Sequence, residues 1–120
     1  MAVSGSLTIE NDGNSSLNVK SITYYDDVAK HGGLMKGEEI KKGEERTLTI
    51  SNESLIPPKG VGAKIQLNDM VTDDVIVINF EIPTVGKYTL ETLDSKGLSA
   101  SYSTLSSSSN AYKAKLFKEQ

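Results

Sequence analysis

Residues 74–88 read Asp74-Val75-Ile76-Val77-Ile78-Asn79-Phe80-Glu81-Ile82-Pro83-Thr84-Val85-Gly86-Lys87-Tyr88, and the fold is decided there. Val75, Ile76, Val77 and Ile78 are consecutive β-branched apolar residues. The run is too short for a lone helix and packs well on a pleated surface, which predicts a strand covered on both faces at the centre of the core. Pro83 cannot donate to a strand ladder and Gly86 tolerates positive φ, so the chain must leave the sheet at a corner over residues 83–86.

Much of the chain on either side alternates apolar and polar residues. Residues 6–10 alternate apolar and polar and run into the turn-forming Asn11-Asp12-Gly13-Asn14, which predicts a strand and a first hairpin. The return arm, residues 17–25, places Leu17, Val19 and Ile22 inward; the parity shift between Val19 and Ile22 calls for a bulge. Residues 26–33, opened by Asp26 and Asp27 and closed by His31-Gly32-Gly33, have no clean period. They read as the longest irregular connection, with room for one helical turn at residues 27–30. Residues 46–51 and 61–67 alternate as half-buried strands, the second with Ala63, Ile65 and Leu67 inward, and Pro57-Pro58 stiffen the loop over residues 52–60.

Residues 87–93 place Tyr88, Leu90 and Thr92 on one side. Asp94-Ser95-Lys96-Gly97 then reads as the turn of a second hairpin whose other arm is residues 98–105. After the serine-rich residues 106–110, residues 111–118 put Tyr112, Ala114 and Leu116 in and three lysines out, as on a charged sheet edge. The fold class expected is all-β: a single-domain antiparallel β-sandwich of about eight or nine strands over residues 1–120. Val75, Val77, Phe80, Ile65 and Leu116 are its expected core.

Composition narrows function. Thirteen lysines and arginines against 16 acidic residues give a net charge of −3, so no basic field gathers nucleic-acid phosphates. There is no cysteine, hence no disulfide or thiolate site. No stretch reaches the roughly 20 apolar residues that span a bilayer, and the N-terminal residues lack the charged start and apolar run of a leader. Synthesis as a soluble protein is expected, with later release by a non-classical route left open.

Catalysis finds little support. The single histidine, His31, with Asp26 and Asp27 nearby, reads as a solvated loop imidazole rather than a metal ligand or general base. No Gly-x-Ser-x-Gly elbow is present. Asn68, Asp69, Asp73 and Asp74 supply oxygens without the spacing of a calcium loop. No enzyme, cofactor or metal is expected. Tyr24 and Tyr25 are adjacent and must point to opposite faces, so at most one is core while the other suits a membrane interface or a partner protein. Tyr88 has the same two readings.

Four segments together resemble the aegerolysins, small β-sandwich proteins of fungi and bacteria that include small components of insecticidal binary toxins. They are Leu7-Thr8-Ile9-Glu10-Asn11 with Leu17-Asn18-Val19; Glu39-Ile40 through Leu48-Thr49-Ile50; Gly60-Val61-Gly62-Ala63-Lys64-Ile65; and the corner from Asn79 to Tyr88 with its aromatic, Pro, then Gly. The resemblance implies binding to a sphingolipid- or sterol-containing membrane, as the targeting partner of a larger pore-forming protein. On that reading the contact residues are Tyr24, Tyr25, Pro83, Thr84, Lys87 and Tyr88. Family members that recognise sphingolipids carry tryptophans in the contact region. This chain has none, so the tyrosines would have to serve, and Lys87 stands where an Asn often follows the Gly. The alternative is a protein- or glycan-binding β-module with no membrane role.

Overall fold

A computed structural model of the chain describes residues 3–25, 28, 30–53 and 60–119. These form β1 (Val3–Asn11), β2 (Leu17–Tyr24), β3 (Lys30–Gly33), β4 (Glu39–Ile40), β5 (Glu45–Asn52), β6 (Val61–Asp69), β7 (Val75–Ile82), β8 (Thr89–Lys96), β9 (Leu98–Ser106) and β10 (Ala111–Lys118). The described residues contain no helix. The strands make two five-stranded sheets, ordered β3-β5-β1-β10-β9 and β4-β2-β6-β7-β8. One core cluster draws on both, from Leu7, Ile9, Leu48 and Leu116 on one side to Val19, Ile65, Ile78 and Phe80 on the other. This is the all-β, two-layer arrangement that the alternating pattern predicts, in ten strands rather than eight or nine.

Strand β7 occupies the interior position expected of it, between β6 and β8. Its inward face differs from the expectation. Ile76, Ile78 and Phe80 are fully buried, whereas Val75 and Val77 are half-buried on the outer face. A run of uniformly apolar residues hides its own parity, and Phe80, two and four positions from Ile78 and Ile76, sets it. Ile65 and Leu116 are buried as expected. The bulge anticipated in the second strand is present as a register shift between Val19 and Ser21 against β6.

Neither expected hairpin exists. Strands β1 and β2 belong to different sheets, as do β8 and β9, so both connections are crossings. At the first, the fully buried Asn11 amide donates to the carbonyls of Ser15 (2.9 Å) and Ile40 (2.8 Å) and accepts from the Gly13 N–H (3.0 Å). The chain is thereby led across the sandwich instead of back along it. At the second, Gly97 does adopt positive φ (80°), yet the Asp74 carboxylate occupies the space where its Cβ would lie. Alternation reports which face is buried, and two strands on facing sheets carry the same pattern as two that pair. Residues 30–33, expected as loop, form β3 against β5. Of the helical turn expected at 27–30, residues 27 and 29 lie outside the described residues, as do 54–59 of the Pro-Pro loop.

The last strand is not an edge. Strand β10 lies between β1 and β9 and runs parallel to β1, so the sheet is mixed rather than purely antiparallel. Its lysines meet acids on neighbouring elements: Lys113 lies 2.6 Å from Glu10 and 3.2 Å from Glu45, and Lys118 lies 2.9 Å from Asp69 and 2.7 Å from Asp74. Outward lysines therefore mark cross-strand and cross-sheet pairing here.

Asp69 is buried, and burial alone would raise its pKa. The Ser15 hydroxyl (2.7 Å), the Thr72 N–H (3.0 Å), the Lys118 ammonium and the Val71 N–H (2.8 Å) outweigh burial and hold its carboxyl well below the usual carboxylate range. A carboxylate whose pKa is depressed by folding stabilises the fold above its unfolded pKa and loses that contribution as pH falls through the carboxylate range. The urea midpoint is expected to drop between pH 7 and pH 3, and Asp69→Asn, less stable at pH 7, is expected to show a smaller drop. In the core, Phe80→Ala is expected to cost about 3–5 kcal/mol in urea unfolding, against about 1 kcal/mol for the half-buried Val77 truncated to Ala.

Candidate functional site

The corner between β7 and β8 stands at the end of the sandwich opposite Asp69. Phe80 anchors its base. The Phe80 ring meets Tyr112 edge to face (centroids 5.8 Å apart, 71°), and Tyr112 stacks on Tyr88 (3.9 Å, 23°). Three rings thus lead from the fully buried Phe80 to Tyr88, which is 39% exposed. Burial raises the Tyr112 phenol pKa, with a smaller contribution from Tyr88. The Tyr112 hydroxyl donates to Asn110 Oδ1 at 3.3 Å. From this base residues 83–87 project, all exposed. Gly86 takes positive φ (99°) with open space around it, and Val85 at the apex is 87% exposed.

Two depressions flank the corner. One involves Tyr25, Glu81, Pro83, Lys87 and Thr89. The other involves Pro83, Thr84, Lys87, Tyr88 and Ser108 to Asn110 of the β9–β10 turn. Pro83 and Lys87 form the ridge between them. Tyr25, Pro83, Thr84, Lys87 and Tyr88, five of the six residues singled out from sequence, therefore gather at one end of the molecule.

Tyr24 is apart from them. It packs against the core and stacks on His31 of β3, centroids 4.0 Å apart at 12°. Burial raises its phenol pKa. His31 is exposed as expected, but on a strand rather than a loop. Tyr25 points the other way, as adjacent strand residues must. Its N–H donates to the Gly62 carbonyl (3.0 Å), its ring covers Gly62, where any Cβ would meet it, and its hydroxyl donates to Asn79 Oδ1. The Asn79 amide in turn donates to Glu81 (3.0 Å) and Glu91 (3.3 Å). Burial, then the charges of Glu81 and Glu91, raise the Tyr25 phenol pKa and keep it a donor.

Sequence reading passed over Val85, because a single valine in a turn carries no pattern. It also passed over the β9–β10 turn, whose approach to the corner depends on β10 lying beside β1. Asp69 and Asp74, considered as calcium ligands, are engaged by Lys118, and no cluster of three metal-ligating side chains occurs among the described residues. No family model matches the chain, and no curated protein is significantly similar to it.

Because Tyr88 stacks on a ring already seated in the core, Tyr88→Ala is expected to lower stability by about 1 kcal/mol and still fold. Tyr25→Phe, which leaves Asn79 Oδ1 without its donor, is expected to cost about 1–2 kcal/mol. Urea unfolding monitored by circular dichroism checks both.

Proposed function

We propose that this chain is a non-enzymatic membrane-lipid-binding β-sandwich of aegerolysin type, acting as the small targeting component of a two-part pore-forming toxin. The observation that carries the reading is the corner itself: an almost fully exposed Val85, with Pro83, Thr84 and Lys87 beside it, raised on the Phe80–Tyr112–Tyr88 ring stack. An apolar tip with a cation next to it suits the bilayer interface, where the methyls enter the acyl boundary and the ammonium stays among headgroups. An amphipathic ring behind the tip suits the same layer, since Tyr88 keeps its hydroxyl at the exposed surface. A tip on a rigid base also limits the ordering cost of binding.

The reading assigns lysis to a second protein. A spanning strand needs about 9–11 residues with a lipid-facing apolar side, and here the regular apolar faces of both sheets form the core.

Co-sedimentation with vesicles tests the proposal. The parent chain is expected to pellet with vesicles containing sphingolipid and sterol and to release no encapsulated dye by itself. Val85→Asp and Lys87→Glu, both at exposed positions, are expected to fold normally and to lose at least about tenfold in vesicle affinity. Failure to pellet with any vesicle in a panel of phospholipids, sphingolipids and sterols would overturn the membrane reading in favour of a protein- or glycan-binding module. Dye release by the chain alone would overturn the assignment of lysis to a partner.

A further inference from the structure

Two sheets have four edges, and three of them are poor templates for a further strand. Strand β3 has four residues and includes Lys30 and His31, and β4 has two residues. Strand β8 carries Glu91, Asp94 and Lys96, all exposed. Short and charged edges are how sheet proteins discourage unwanted pairing. The fourth edge is β9, Leu98-Ser99-Ala100-Ser101-Tyr102-Ser103-Thr104-Leu105-Ser106. It has nine residues, with no charge and no proline. It pairs with β10 on one side, and its other side carries no strand among the described residues.

The side chains of this edge are settled by the fold. Leu98 is buried, while Ala100 and Tyr102 pack against the core, the Tyr102 hydroxyl lying 2.6 Å from Thr92 Oγ1 of β8. Ser101 and Ser103 are exposed on the outer face opposite Lys115 and Lys113 of β10. Leu105 is 56% exposed where the β9–β10 register shifts.

We propose that β9 is a homodimer interface, at which two copies pair antiparallel about a two-fold axis at Tyr102 and join their five-stranded sheets into one of ten strands. The occupant is a second copy because the strand is complementary to itself. About that axis Ser101 faces the partner's Ser103, Ala100 faces its Thr104, and Leu98 faces its Ser106. No charged residue of β9 is opposed, Tyr102 meets its own copy as an aromatic cross-strand pair, and Ser99, which donates to Glu119 (3.3 Å) at the end of the seam, stands opposite the exposed Leu105. A partner chosen by charge would find nothing on this strand to read, whereas the same operation on β8 would set its charged side chains among those of its copy. Residues 83–87 are not among those that pair at the β9 edge, although Tyr88 behind them lies 3.4 Å from Thr104 of β9; self-association without vesicles and vesicle binding are read separately.

Analytical ultracentrifugation of the full chain tests this. The parent is expected to pass from 12.9 kDa monomer to dimer as concentration rises, and the β9 amides are expected to exchange more slowly at high concentration. The double variant Ser101→Glu/Ser103→Glu places its carboxylates beside Lys115 and Lys113 of its own β10, so it should fold. Across the axis it opposes like charges twice and is expected to dimerise at least about tenfold more weakly. Ser101→Lys/Ser103→Lys is expected to be monomeric alone and to form heterodimers when mixed with the Glu variant. A parent that stays monomeric up to about millimolar concentration would overturn the proposal, as would a Glu variant that dimerises like the parent. Should the Lys variant fail to fold, the Glu variant and the amide exchange decide between the two outcomes.

Discussion

A single buried carboxylate holds one end of this sandwich together. The Asp69 side chain is 2% exposed and takes donors from three parts of the chain: Ser15 from the β1–β2 crossing, Val71 and Thr72 from the β6–β7 turn, and Lys118 from the end of β10. Lys118 also reaches Asp74, whose carboxylate lies against Gly97 at the β8–β9 crossing. Two of the six places where the chain changes sheets, the β1–β2 and β8–β9 crossings, are therefore fastened to one ionic group. A buried charge is costly unless every lone pair is used, so the group can exist only where all of these segments arrive together. Its demand for partners is what makes the arrangement of segments specific.

The two ends of the molecule are closed by different physics. At the Asp69 end, charge and hydrogen bonds join the sheets, and little is left over for a ligand because the donors and acceptors already satisfy one another. At the other end the closure is aromatic. Rings stacked from Phe80 through Tyr112 to Tyr88 fill the gap by area and shape, and Val85 projects beyond them, almost fully exposed. The ring hydroxyls there are held by Asn110 and Asn79, while residues 83–87 face outward beyond them.

Which residues face inward was legible wherever alternation was clean, as at Leu48 and Ile50, at Ala63, Ile65 and Leu67, and at Tyr112, Ala114 and Leu116. It failed at Val75 and Val77, where four apolar residues in a row erase parity. Pairing was much less legible. Asn11-Asp12-Gly13-Asn14 and Asp94-Ser95-Lys96-Gly97 have the chemistry of tight turns, and Gly97 does take the backbone conformation that chemistry implies. Whether such a segment reverses a strand or carries it to the facing sheet depends on contacts from remote residues, such as Ile40 with Asn11 and Asp74 with Gly97. The corner at residues 83–88 was found from sequence because Pro83 and Gly86 constrain the backbone locally. The ring stack under it was not, since it requires β10, far away in the chain, to bring Tyr112.

Placing β10 beside β1 has a kinetic meaning. The Asn110 amide donates to the Ser4 carbonyl, 106 positions away, and β10, which follows Asn110, runs parallel to β1, which contains Ser4, inside their sheet. Until β10 has been synthesised, β1 keeps one open side, β9 has no neighbour in its sheet, and Asp69 lacks its lysine. Closure of so long a loop must precede the contacts that reward it, which makes the folding of such topologies slow. The layer therefore stays incomplete until β10 slots between β1 and β9, and that strand acts as its keystone.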